Sequence, residues 1–199
     1  MVFLVRVFRF LLALLPIVAI GYDIAHSKPD LLNYFSLFTT LSNLIAACLF
    51  LYLAFGQDDG RNKIIDSIRG ACVGYLLTSS AVYYLLLRDT IGPPPVIWVN
   101  TILHKFMPIA VFFDWIIFPP KKHLRFTESF KWLVFPLVYV FYSLIRGQIV
   151  NWYPYPFLDH STNGYSSVFI YTVVIAISGM LLASLLIVLG NKLSDLQKN

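Results

Sequence analysis

Charged side chains are scarce in this chain: they make up 13% of residues, where an ordinary soluble domain carries roughly a quarter. The shortage excludes a water-facing globular surface, and with it a nucleic-acid interface, which needs an exposed basic patch. Cysteine is rarer still. Cys48 and Cys72 form no CxxC and have no histidine at metal-ligand spacing, so they read as packing residues, and neither a redox pair nor a zinc site is expected. No cofactor and no metal is implied. Also lacking are internal repeats, sustained heptads, low-complexity tracts and the period-2 alternation of a membrane β-barrel.

Hydrophobic residues fill 58% of the 199 positions, and the mean hydropathy is +0.73. They gather into runs at 3–22, 34–56, 68–88, 96–118, 130–147 and 165–190, each about 20 residues and long enough as a helix to cross about 30 Å of hydrocarbon. The expected fold is all-α: one domain over 1–199, an integral membrane bundle of six transmembrane helices. The first run follows Arg6 and Arg9 as a signal peptide would, but no small-x-small cleavage site follows Gly21, so it is expected to stay.

Arg6, Arg9, Arg61, Lys63, Arg69, Lys121, Lys122, Arg125, Lys131, Lys192 and Lys198 fall on one side of such a bundle. Lys28, Arg88 and Arg146 fall on the other, and Lys105 lies within a helix. The positive-inside rule therefore puts both termini in the cytoplasm. The net charge of +5 reads as topology and contact with membrane lipids.

Short breaks at Ser27-Lys28-Pro29-Asp30, Gln57-Asp58-Asp59-Gly60, Gly92-Pro93-Pro94-Pro95 and Pro119-Pro120-Lys121-Lys122 separate the runs. The one sizeable loop, 151–164, is expected outside. Its Trp152, Tyr153 and Tyr155 suit either the interfacial aromatic belt or a lid over a pocket opening to the outer leaflet. Gly70 and Gly74 make a GxxxG, expected to pack helices within the bundle. Asp114 is expected to pair with Lys121, Lys122 or Arg125.

Ionisable groups inside the membrane are functional suspects by default, and His104 is one. In helices running the same way, Thr39 lies about 8 Å and His104 about 12 Å below the outer boundary at 1.5 Å per residue, which is effectively one depth. Thr39 and Asn43 share a helix face, as do Asn100 and His104. A base opposite an alcohol is the minimum for nucleophilic catalysis. The bland alternatives are a hydroxyl bonded back to a carbonyl one turn earlier and a histidine that only bridges helices. Arg88 and Arg146 close helices on the outer side, where they anchor to phosphate or hold an anionic substrate.

Two stretches carry a family resemblance: Trp98-Val99-Asn100-Thr101-Ile102-Leu103-His104 followed by Pro108, and Trp152-Tyr153-Pro154-Tyr155-Pro156-Phe157-Leu158-Asp159. They resemble signature stretches of the androgen-induced and androgen-dependent TFPI-regulating membrane protein family, and the likeness, closest to its microbial branch, runs through all six helices. Animal members are multi-pass threonine hydrolases of fatty acid esters of hydroxy fatty acids. The resemblance implies a membrane hydrolase with His104 as base and a nucleophile in Phe38-Thr39-Thr40-Leu41, Thr39 by its spacing from the aromatic residue and Thr40 by a one-residue shift. Where animal members carry an acidic residue just after the threonine, this chain has Ser42 and Asn43.

The expectation is a lipid-ester hydrolase in a bacterial cell membrane, acting on an amphiphilic lipid ester and facing the outer leaflet. Thr39 and His104 are the dyad. Asn43, Asn100, Ser42 and Asp159 are the candidates for stabilising an oxyanion or orienting His104, and Arg88, Arg146, Trp98 and Tyr155 for binding substrate. The alternative is a non-enzymatic lipid-binding or transport protein using the same polar pocket.

Overall fold

A computed structural model describes residues 2–56, 62–90 and 92–198, so Arg61 and the 57–60 break lie outside the described residues. The chain is helical, with no strand among the described residues. Five helices are long and apolar enough to cross a membrane: Phe3–Ser27, Phe38–Phe55, Lys63–Leu87, Glu128–Val150 and Gly164–Leu196. We label the elements α1 (Val2–Ser27), α2 (Leu31–Tyr34), α3 (Phe38–Phe55), α4 (Lys63–Val82), α5 (Ile97–Thr101), α6 (Met107–Ile117), α7 (Glu128–Trp132), α8 (Val134–Val150) and α9 (His160–Leu196). Large apolar side chains such as Leu85, Ile149, Phe141 and Leu185 point outward, as they must on a surface whose solvent is lipid.

Where the second run was expected to start at 34, the structure has a separate single turn. The Asp30 carboxylate accepts from Asn33 N at 2.8 Å, capping α2 in the manner that starts a helix. The chain then turns through Ser36 and Leu37 before α3 begins. Thr39 is consequently the second residue of a helix.

The fourth run is interrupted as well. Between α5 and α6 lies a π-helical segment, Ile102–Phe106, and α4 runs into another at Tyr83–Leu87. Pro108 explains the first: it has no N–H to give to the carbonyl of His104 four residues back. The helix widens instead, and Met107 N bonds Ile102 O in the i→i−5 pattern. The unused His104 carbonyl accepts the Ser80 hydroxyl of α4 at 2.6 Å.

The start of α1 and the end of α9 lie at one end of the bundle. There Arg9 of α1 and Arg69 of α4 share Asp114 of α6, at 3.0 and 2.8 Å, and Arg69 also bonds Asp66 at 3.0 Å. His123 meets Asp195 of α9 at 2.7 Å. Asp114 is thus held by Arg9 and Arg69 rather than by the lysines that follow it. Gly70 receives the ring of Trp132 where a Cβ would stand, so this half of the GxxxG packs inside the chain. Gly74 borders a cavity between α4, α8 and α9. Cys72 is buried, whereas Cys48 faces outward.

Candidate functional site

Three elements place the polar residues at one level. Thr39 Oγ1 lies 2.9 Å from Ser79 Oγ of α4. One turn further along α3, Asn43 Nδ2 donates to Thr39 O at 2.9 Å and reaches Leu103 O, beside His104, at 3.4 Å. The His104 ring stacks on Tyr83 with centroids 4.1 Å apart and lies beside the Ser79 backbone. Its Nδ1 is buried without a partner. Ser79 therefore stands next to both members of the expected pair, its hydroxyl bonded to Thr39 and its backbone beside His104.

Thr39 and His104 themselves are not in hydrogen-bond contact, because the Thr39 hydroxyl is turned to Ser79. Thr39 and Ser79 border an apolar cavity that His104 does not line. Thr40 is buried off that wall.

The start of α3 adds electrostatics. The first N–H groups of a helix have no intrahelical acceptor and carry partial positive charge. Thr39 N–H points at the Tyr155 hydroxyl over a long 3.4 Å. The 151–159 loop therefore does more than line an interface: Tyr155 reaches down to the helix end, Leu158 is almost fully buried and Tyr153 fills the space above Gly147. Burial raises the Tyr155 phenol above its ordinary pKa, which keeps it a neutral donor beside Thr39.

The remaining sequence candidates are dispersed. Asn43 spends its donors on the Thr39 and Leu103 carbonyls, and Ser42 Oγ donates to Thr39 O at 3.2 Å. Both act as struts and not as oxyanion donors. Asn100 Nδ2 donates to Tyr83 Oη at 2.9 Å, so it acts on His104 by holding the ring stacked on it. Asp159 caps α9, accepting from Ser161 N at 2.9 Å and Ser161 Oγ at 2.6 Å, and the Ser161 hydroxyl helps hold its carboxyl below the usual range. Tyr83 supplies the orienting contact sought from Asp159.

Arg146 bonds Asn33 Oδ1 at 2.7 Å, lies over Trp152 at 5.1 Å and keeps one buried terminal nitrogen unpartnered. Arg88 is exposed. Trp98 packs edge-on against Tyr22, 4.9 Å away, at the end of α1. No group of three His, Cys, Asp or Glu suited to a metal occurs among the described residues.

Sequence reasoning missed Ser79 and Tyr83. A signal for Ser79 was available: Thr78-Ser79-Ser80 are three hydroxyls in succession within an apolar helix. Comparison with known protein families, curated proteins and solved structures found no match to this chain.

Proposed function

We propose that this protein is a membrane-embedded hydrolase of lipid esters, with Thr39 as nucleophile, His104 as general base and Ser79 as the proton carrier between them. The observation behind the reading is the Thr39–Ser79 hydroxyl pair in the wall of an apolar cavity, near a histidine with an unpaired nitrogen. Thr39 Oγ attacks the ester carbonyl as its proton passes to Ser79, and Ser79 gives its own proton to His104 Nδ1. Catalytic hydrogen bonds often tighten only when substrate is bound, which allows the Ser79–His104 step to close at that stage. The oxyanion forms at the α3 N-terminus beside the Tyr155 hydroxyl, donors of the type that stabilise it. Collapse breaks the ester C–O bond, and the alkoxide takes the proton back along the same route. Water then attacks the acyl-threonine, losing its proton the same way, and releases acid and free Thr39.

In this reading the Ile97–Ile117 rod is a sixth span, and the termini face the cytoplasm of a bacterial cell. A cysteine in place of Thr162, in a background without Cys48 and Cys72, should react with a membrane-impermeant maleimide added outside intact cells. Reaction only after lysis would reverse the orientation.

A lipid-binding protein without turnover is the second reading. What favours it is that Thr39 bonds Ser79 and not His104 in the free protein. Purified protein in nanodiscs should hydrolyse an acidic lipid ester, whereas saturable binding with no product released supports the second reading.

The unpartnered nitrogen of Arg146 suits a carboxylate on the outer side of the ester. Arg146→Gln should raise KM for an acidic ester about tenfold with little change in kcat, the mark of binding shared by ground and transition states. Arg88→Gln should leave both unchanged. Equal KM for the acidic ester and its methyl-capped analogue would assign Arg146 to structure alone.

A further inference from the structure

The cavity beside Thr39 has a shape as well as polar groups in its wall. Thr39, Ser79 and Tyr155 line it with Thr172 of α9, whose buried hydroxyl has no partner, and Val82 and Leu87 line it beyond them. From there it descends between α4, α8 and α9, past Gly74 and Gly179, to Ala71, Ala183 and Trp132. Ser79 to Ala71 is eight residues of helix, so the shaft runs about 12 Å from the level of Thr39 and Ser79 to its floor. Along that stretch the wall offers an alkyl chain little but apolar surface.

The floor is rigid. The Trp132 ring is wedged against Gly70, its indole N–H donates to Ser67 Oγ at 3.0 Å, and its carbonyl accepts the Tyr75 hydroxyl at 2.8 Å. The side is open to lipid. On α8 only Tyr139, Ser143 and Gly147 are buried, one narrow i, i+4 stripe, and Leu137, which lines the shaft, is 41% exposed. A chain can therefore enter sideways between α8 and α9 without crossing water.

We propose that this shaft is a length-selective slot for one unbranched saturated acyl chain, with its carboxyl or ester end at Thr39–Ser79 and its methyl end on Trp132. Gly179 sets the bore. The orientation rests on reading Thr39 as the ester-binding end; the slot itself does not need turnover. About 12 Å accommodates on the order of ten methylenes. At Gly179 an added Cβ would meet Leu133 and Thr78 at 3.9 and 4.0 Å, ordinary contact, so a leucine there folds into the helix and projects into the shaft.

Free fatty acids bearing a terminal bromine, in a series of increasing length, test this in nanodiscs of unbrominated lipid. Bromine quenches tryptophan on contact, and Trp132→Phe identifies the part of the signal that comes from the floor. Quenching of Trp132 should pass through a maximum at about ten methylenes, and in Gly179→Leu the binding of that chain should weaken at least tenfold. Quenching that rises smoothly with length, equally in Gly179→Leu, would mean ordinary partition into the bilayer and overturn the slot. A sharp maximum in a protein that hydrolyses no ester would keep the slot and reject the hydrolase. Ester turnover without a maximum would do the reverse.

Discussion

Thr39→Ala is expected to abolish ester hydrolysis, lowering kcat by on the order of 10⁴ or more, because no other hydroxyl stands at the helix end with the same approach to the cavity. His104→Ala removes the base and should cost about 10² to 10⁴. Ser79→Ala should cost less than either, since a water can occupy the space of its hydroxyl and carry the proton. The double variant Thr39→Ala/His104→Ala should be no slower than Thr39→Ala alone, because groups that act as a unit do not add. Thr40→Ala should stay within a few-fold of wild type. Full activity in Thr39→Ala with loss in Thr40→Ala would move the nucleophile by one residue. Activity retained in Thr39→Ala, Thr40→Ala and His104→Ala alike would remove this chemistry altogether.

The second large effect concerns stability at the terminal end of the bundle. Asp114 is 2% exposed at its side chain and holds Arg9 and Arg69, which are 15% and 7% exposed. Asp114→Ala leaves two arginines facing each other with their shared carboxylate gone, and Asp66 and the Phe118 carbonyl remain on Arg69. Losing one partner of a buried ionic network costs about 3 to 5 kcal/mol. The melting temperature should fall by roughly 10 °C, at about 2 to 4 °C per kcal/mol for a chain of this size. Asp114→Leu combined with Arg69→Met should recover part of the loss, since apolar replacement of a buried pair is often neutral. A melt unchanged within 1 °C in Asp114→Ala would mean that water reaches these groups.

The helices were legible because their apolar runs are long and uninterrupted by charge, and the run limits agree with the elements to a few residues at most ends. Irregularities within them were less so. The turn at Ser36 and Leu37 follows from Asp30 capping a short helix, a signal that apolar composition drowns. The widened turn at His104 was visible as Pro108 four residues on, yet the consequence, a free His104 carbonyl taken by Ser80, needs the neighbouring helix. Comparing depths set two helices side by side, α3 and the His104 segment, which meet through Asn43 and the Leu103 carbonyl. The third, α4, supplies Ser79 between them. A serine in a membrane helix ordinarily bonds its own backbone, which hid it. Asn43 and Asp159 carried the right chemistry for the roles expected of them, but local backbone partners satisfied them first.

An activated threonine is the central claim, and a fluorophosphonate reads it directly, since it phosphonylates only a hydroxyl whose proton is being withdrawn. Purified protein should acquire one adduct, mapped by mass spectrometry to Thr39 and lost in His104→Ala. An adduct on Ser79 or Thr40, or none on folded protein that binds lipid, would contradict the assignment of Thr39 as the nucleophile.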